Sequence, residues 1–366
     1  MNLIEPLSRA VDEVGYSSPT EIQSKAIPLI LEGRDLIGCA QTGTGKTAAF
    51  AIPMLQRLVE EKSTTKGIRA LVLTPTRELA LQIEENFQSY GKYLPLRVVC
   101  VYGGVALSPQ VRALKEGVDI LIATPGRLLD LVQQKHAHIG GVHTFVLDEA
   151  DRMLDMGFIH DIRRVMGHLK NRKQTLFFSA TLPAAARKLA DGMLTRPAMI
   201  SVTPVSSTAR TVKQGVYFVD KKEKAELLIE ILRDRAESRS LVFTRTRHGA
   251  DRLAKKLGKS GIVAMAIHGS KSQNARQRAL DDFKNSRAPV LIATDIAARG
   301  IDIEALPFVV NYELPDVPET YVHRIGRTGR AGVSGDAVSF CDVDEEGSNL
   351  AAIQKLIGFE LPIMKL

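Results

Sequence analysis

The sequence predicts an α/β protein made of two tandem copies of one module, each a mostly parallel sheet flanked by helices. Three observations carry that prediction. ALVLTPTRELA at 70–80 matches SLVFTRTRHGA at 240–250, and DILIATPGR from 119 matches PVLIATDIA from 289, both at an offset of 170. A shared offset across separate segments marks duplication of a structural unit. The repeated segments are short apolar runs that end in Thr, Arg or Asp, as buried parallel strands do when they deliver loops at a sheet's carboxyl edge. Finally, DLIGCA, AQTGTGKT and AAFAIPML follow one another as strand, glycine-rich loop and helix. A length of 366 residues suits two domains, placed at 1–205 and 206–366, with the Ser-, Thr- and Pro-rich SVTPVSSTARTVKQG at 201–215 as the linker.

The loop AQTGTGKT spans 40–47. Gly43 and Gly45 put no Cβ in the way of a polyphosphate, so successive backbone N–H groups can point into one concavity at a helix start. Lys46 then reaches the β- and γ-phosphates of ATP, and Thr47 offers a hydroxyl to Mg2+. Gln41, Thr42 and Thr44 complete the ATP-contacting loop. Ala40 stands where the pattern usually has its first glycine, which the turn accepts only if that residue keeps a negative φ.

In HTFVLDEAD, Phe145, Val146 and Leu147 form a nearly continuous apolar run that ends in acids. A buried parallel strand would deliver Asp148 and Glu149 at its carboxyl edge. Asp148 is the candidate to hold Mg2+ through water. Glu149, one residue past it, is the candidate to orient and deprotonate the attacking water without being neutralised by the metal. An acidic tetrapeptide alone is usually a solvated helix start. Behind a buried strand and in one chain with a phosphate loop, it implies nucleotide hydrolysis.

By the same offset the phosphate loop maps onto RTVKQGVY at 210–217, which has one glycine and no GK[ST], so the second module is expected to have lost its own nucleotide site. Late in that module YVHRIGRTGRAG places Arg324, Arg327 and Arg330 three apart. Guanidinium groups without a local anion suit the first module's γ-phosphate, where an arginine stabilises the transition state.

Composition narrows the class further. Apolar residues make up 45% of the chain and charged residues 25%, ordinary for a globular protein. The net charge of +8 is even along the chain, with 24 basic against 20 acidic residues through position 205 and 25 against 21 after it. That is compatible with a polyanion lying across both halves. Cys39, Cys100 and Cys341 are far apart and lack metal-ligand spacing, which fits a reducing cytosol. The N-terminus has no signal-peptide pattern and no 18-residue apolar run occurs, so a cytoplasmic protein without a membrane segment is expected.

The ordered motifs closely resemble those of the DEAD-box ATP-dependent RNA helicases of superfamily 2. In order they are GYSSPTEIQ (15–23), AQTGTGKT, PTRELA (75–80), Gly103-Gly104, TPGR (124–127), DEAD (148–151), SAT (179–181), LVFTRT (241–246), HGSKSQNAR (268–276), ATDIAARGID (293–302) and HRIGRTGR (323–330). Overall similarity points to the bacterial RhlE-type branch. The resemblance covers almost the whole chain and implies two tandem RecA-like (P-loop NTPase) domains. It also implies that Gln23 reads the adenine edge with Tyr16 nearby, a side-chain amide matching adenine's donor and acceptor. By the same resemblance, Gly300 and Asp302 contact the nucleotide from the second domain, and Arg327 and Arg330 are arginine fingers. Asp151, Ser179, Thr181 and His323 couple the nucleotide state to the domains. The family's aromatic residue upstream of the glutamine motif has no counterpart after Met1, so weaker adenine stacking is expected, and the chain looks like a helicase core.

RNA binding is read from the strand-end loops. Pro75, Thr76, Arg77, Gly104, Thr124 and Arg127 in the first module, with Arg245, Gly269, Gln273, Arg276 and Thr294 in the second, combine small residues, hydroxyls and guanidinium groups suited to phosphates and 2′-hydroxyls. With no Trp and 5% aromatic residues, little base stacking and little sequence preference are expected. ATP and single-stranded RNA would each favour closed domains, so that closure opens a few base pairs and hydrolysis releases the strand. Two competing readings are an ATP-gated RNA clamp or assembly platform with little unwinding, and a DNA translocase of the same superfamily. Protein partners and RNA choice are expected to depend on segments outside this core.

Overall fold

The structure, a computed structural model, describes residues 3–40, 43–61, 67–202, 212–235, 238–295, 306–329 and 335–365. The chain divides into two compact units, Met1–Thr203 and Pro204–Leu366. The first contains α1 (Glu5–Glu13), α2 (Glu21–Leu31), β1 (Leu36–Cys39), α3 (Lys46–Glu60), β2 (Ala70–Leu73), α4 (Arg77–Tyr90), β3 (Val98–Val101) and α5 (Leu107–Lys115). It continues with β4 (Ile120–Ala123), α6 (Pro125–Gln133), β5 (Thr144–Leu147), α7 (Ala150–Asp155), α8 (Ile159–His168), β6 (Gln174–Ser179), α9 (Ala184–Asp191) and β7 (Ala198–Ser201). The second contains β8 (Lys213–Phe218), α10 (Lys224–Asp234), β9 (Ser240–Phe243), α11 (Arg247–Lys259), β10 (Ala264–Ile267) and α12 (Gln273–Lys284). Then come β11 (Val290–Ala293), β12 (Phe308–Asn311), α13 (Pro318–Ile325), β13 (Asp336–Cys341) and α14 (Val343–Ile357).

Each unit is a parallel sheet between helices, with strand order β3-β4-β2-β5-β6-β1-β7 in the first and β10-β11-β9-β12-β13-β8 in the second. Apart from the extra edge strand β7, the two orders correspond. The sequence repeat is the middle of this correspondence: Ala70 pairs with Ile120 and Ser240 with Val290, each set displaced by 170. The strands are short and buried because helices cover both faces, which is why they read as apolar runs rather than alternating patterns. In the first unit, Val72, Val146, Leu176 and Phe178 pack against Phe50 and Phe87 on one side, and Leu71, Phe145 and Phe177 fill the other. Each buried ring contributes about 1.5–3 kcal/mol. Gly38 in β1 is fixed by this packing, since a Cβ there would lie 2.5 Å from the Phe178 ring.

Two sequence expectations are corrected by this topology. The linker is shorter than 201–215, because Ser201 ends β7 and Lys213, Gln214 and Gly215 belong to β8. The counterpart of the phosphate loop is also not 210–217. A strand occupies most of that range, and the connection equivalent to β1–α3 is Val219–Glu223, between β8 and α10. The offset there is 178, from Lys46 to Lys224 at the two helix starts, because the repeat carries a length change ahead of its matched segments.

Candidate nucleotide and nucleic-acid sites

The phosphate loop leaves the carboxyl end of β1 and enters α3 at Lys46. Gly43 and Gly45 have φ of 81° and 88°, the left-handed region that glycine adopts at little cost. Ala40 is not among the positive-φ residues, so its replacement of the usual glycine is accommodated as the sequence required. The Lys46 Nζ donates to the Ala40 carbonyl at 2.7 Å, curling the buried ammonium back over the loop. Gln41 and Thr42 lie outside the described residues.

Gln23, assigned to adenine by resemblance, braces this loop. Its Nε2 donates to the Gly45 carbonyl at 3.2 Å and its Oε1 accepts the Thr20 N–H at 3.0 Å, while the Thr20 hydroxyl donates to the Thr44 carbonyl at 2.8 Å. A Cβ on Gly45 would collide with the Gln23 amide, a second reason for glycine there. Tyr16 is partly exposed and shares a 2.9 Å hydroxyl contact with Tyr90.

Two strands from β1, β5 is followed by Asp148, which is buried and accepts the Glu149 N–H at 3.0 Å. Burial pushes the Asp148 carboxyl up to about 7, against the nearby Lys46 charge, with Glu149 and Asp151 adding to the rise. Glu149 is also buried and takes a left-handed backbone, φ 52° and ψ 51°, at the N-cap of α7. Its carboxylate receives the Arg152 Nη1 at 2.7 Å. Asp151 Oδ2 accepts both the N–H and the hydroxyl of Thr181 at 2.8 Å, and the Asp151 N–H reaches the Ser179 hydroxyl at 3.2 Å. Three of the four residues assigned to coupling are therefore joined in one hydrogen-bonded set; His323 lies on α13 in the second unit.

The strand-end loops are constructed alike in both units. Thr76 caps α4 by accepting the Leu79 N–H, and Thr246 caps α11 by accepting the Gly249 N–H. The next residue in each case is an arginine that reaches a glycine loop. Arg77 donates to the Gly103 carbonyl, beside Gly104 at φ 79°, and Arg247 donates to the Ser270 hydroxyl at 3.0 Å, beside Gly269. Arg127 donates to the Val105 carbonyl at 2.9 Å from α6, which follows Thr124, and Pro75 is buried before the Thr76 cap. Gln273 and Arg276 share one face of the first turn of α12, and Thr294 follows β11.

Arg245 is bound within its own unit: its Nη2 donates to the Leu314 carbonyl at 3.2 Å and lies 3.4 Å from Glu346, while its N–H donates to Glu313 at 2.6 Å. Arg324 departs from the sequence reading of three equivalent arginines. It is 2% exposed, forks onto Asp295 at 2.6 and 2.8 Å, donates to Asn311 and the Glu313 carbonyl, and lies over the Phe243 ring. With four of its five N–H donors engaged in this way, the guanidinium is tied into its own unit. Arg327 is buried, and its carbonyl accepts the Leu306 N–H. Gly300, Asp302 and Arg330 lie outside the described residues.

The DEAD/DEAH box helicase family matches residues 20–189 and the helicase conserved C-terminal domain matches 223–332. The chain is 42% identical over 366 residues to the DEAD-box ATP-dependent RNA helicase RhpA of Helicobacter pylori, covering all of this chain and 73% of that one. It is 41% identical over 364 residues to the DEAD-box ATP-dependent RNA helicase CshA of Bacillus subtilis, again covering 73% of that protein. The chain belongs to the DEAD-box ATP-dependent RNA helicases. Among solved structures, S. cerevisiae Dbp5 bound to RNA and ADP BeF3 is similar with a TM-score of 0.88 at 33% identity, over 99% of this chain and 94% of that one. The two α/β units are accordingly the RecA-like pair of a DEAD-box helicase.

Two features of this helicase were not read from the sequence. Arg247, not Arg245, is the structural counterpart of Arg77, and the signal was available: the offset of 170 aligns 77 with 247. Arg152 was passed over because it follows the acidic tetrapeptide and reads as an ordinary helix cation. Its contact with Glu149 is an i, i+3 ion pair, a spacing that offered the signal.

Proposed function

We propose that this DEAD-box helicase couples RNA-stimulated ATP hydrolysis to domain closure and reopening, separating a few base pairs locally or remodelling RNA–protein assemblies without processive travel. The observation that carries this reading is the adjacency, within one unit, of the Lys46 phosphate cradle, the buried carboxylates Asp148 and Glu149, and the Asp151–Ser179–Thr181 set. Hydrolysis at the first element can be reported through the third.

The Thr47 hydroxyl and Asp148 carboxylate are hard oxygen donors, and a carboxyl raised to about 7 by burial would be returned to its ionised form by a cation. They fit Mg2+, which supplies charge neutralisation on the phosphates when bound. Among the described residues no cluster of three His, Cys, Asp or Glu suits a metal. Glu149 accepts the proton of the attacking water as the γ-phosphorus–oxygen bond forms and the β,γ-bridging bond breaks toward ADP. Gln23 and Tyr16 serve the adenine side. Arg327 and Arg330 complete the charge stabilisation, with Gly300 and Asp302 on the nucleotide.

RNA is the proposed partner, gripped by its backbone through Thr76, Arg77, Gly104, Thr124 and Arg127 and through Gly269, Gln273, Arg276 and Thr294, with Arg247 added. A cytosolic location is proposed from the three free cysteines. The test is the ATPase rate with RNA, with DNA and with neither. Strong stimulation by RNA alone is expected; equal stimulation by DNA would overturn the RNA assignment.

A further inference from the structure

We infer that Arg152 is a positioning residue that sets the orientation of the Glu149 carboxylate; the inference rests on the assignment of Glu149 as the base for water. Glu149 has a backbone conformation that residues with a Cβ seldom adopt, and it sits at the start of α7 where the chain turns sharply out of β5. The backbone of this turn is secured on the other side by Asp151, through Thr181 and Ser179. What the turn leaves undefined is the Glu149 side chain, with three rotatable bonds of its own.

Arg152 supplies that definition. Its Nη1 donates to Glu149 Oε2 at 2.7 Å, with the two side chains 5% and 11% exposed. A charge-assisted bond between groups so far removed from water is short and directional. Arg152 lies in the last turn of the six-residue α7, where the helix dipole accepts a cation, but that does not account for its burial. Nor is a guanidinium buried without a partner of opposite charge. The Glu149 carboxylate is such a partner.

The hydrolytic step fixes what that hold is for. A water oxygen bonds to the γ-phosphorus, the bridging bond releases its electron pair to ADP, and the water proton passes to Glu149. A carboxylate that swings among rotamers is aligned for this only part of the time, and misplacement by about 1 Å costs up to about 10²-fold. Arg152 does not touch the substrate; it raises the fraction of enzyme in which the acceptor is aligned.

The experiment uses the full chain with Arg152→Met, which keeps the stem and removes the charge, and Arg152→Lys, which restores the charge. RNA-stimulated kcat, KM for ATP, binding of a non-hydrolysable ATP analogue and the thermal midpoint are measured for both. Arg152→Met is expected to lower kcat by about 10- to 100-fold with KM and analogue binding within about twofold, and Arg152→Lys to recover most of the loss. The double variant Glu149→Gln/Arg152→Met should be no slower than Glu149→Gln alone. Wild-type kcat in Arg152→Met, or a double variant slower by the product of both effects, overturns the inference. Should Arg152→Met fail to fold, Arg152→Gln is measured in its place, a loss confined to kcat supporting the inference and a wild-type kcat or a loss confined to KM overturning it. If Glu149→Gln alone turns over ATP normally, the base assignment fails, a result distinct from any failure of Arg152.

Discussion

The connections β1–α3 and β8–α10 occupy the same place in their two sheets, yet one is a phosphate cradle and the other a closed structural joint. Both enter their helix on a buried lysine. Lys46 follows a glycine loop and stands near Asp148. Lys224 follows Val219–Glu223, forms a buried ion pair with Glu346, and donates to the Tyr312 and Phe340 carbonyls at 3.2 and 3.3 Å. The strand register also puts Tyr312 where the first unit has Asp148, since Leu147 and Asn311 pair with the corresponding residues Leu73 and Phe243. The second unit thus gives its lysine an internal carboxylate and has a tyrosine in place of the acid proposed to hold the metal. A nucleotide site here depends on what surrounds the lysine, while the fold supplies only its location.

The comparison is broken most severely by exchanging the fates of the two lysines. Lys46→Ala should lose ATP turnover by about 10²–10³-fold or more while leaving the unfolding transition nearly unchanged, measured by steady-state ATPase and denaturant titration. Lys224→Ala should do the reverse, retaining analogue binding but destabilising its unit. Glu346→Ala tests the same joint from the other side. Removing one partner of a buried pair leaves the other charge uncompensated, so a loss of about 3–5 kcal/mol is expected in urea unfolding. Arg324→Ala, which strands Asp295, should also cost about 3–5 kcal/mol and so separate Arg324 from the arginines proposed to act on the phosphate.

Smaller effects test the symmetric part of the molecule. Arg77→Ala and Arg247→Ala should weaken RNA binding similarly for all sequences, and each should reduce the slope of log affinity against log salt by about 1. A change at Arg77 with none at Arg247 would show that equivalent construction does not carry equivalent use. The smallest effect belongs to α1, an addition of the first unit. The Lys92 ammonium, and after it the Tyr93 hydroxyl, lower the Glu13 carboxyl from its ordinary 4.5 to about 2. A depressed carboxyl contributes stability above pH 4.5 that is lost as pH falls through about 2, and this exposed contact is screened by salt. An NMR titration of Glu13 should find its midpoint near 2, returning toward 4.5 in Lys92→Ala.

Much of this was legible because the first unit's chemistry is local in sequence. A glycine loop followed by Lys46 and Thr47, or an apolar strand followed by Asp148 and Glu149, declares itself within ten residues. The repeat was equally plain where length is conserved, at 70 and 240 and at 120 and 290. It failed at the phosphate loop, since a length change shifts the register by eight and hides Lys224 behind an ordinary helix start. The role of Arg324 was hidden for a different reason. Three arginines at a spacing of three look interchangeable, and only the fold brings Asp295 and Asn311 around one of them. The pair Lys224–Glu346 likewise depends on the fold, whereas Glu149–Arg152 has the i, i+3 spacing of a helical ion pair.

The central proposal is that one unit holds the triphosphate and the other supplies its arginines. The most direct test is the RNA-stimulated ATPase rate of Arg327→Ala, measured alongside its affinity for an ATP analogue. The account predicts a fall of about 10³-fold or more in kcat with binding retained within a few-fold. Turnover at the wild-type rate in that variant would contradict it.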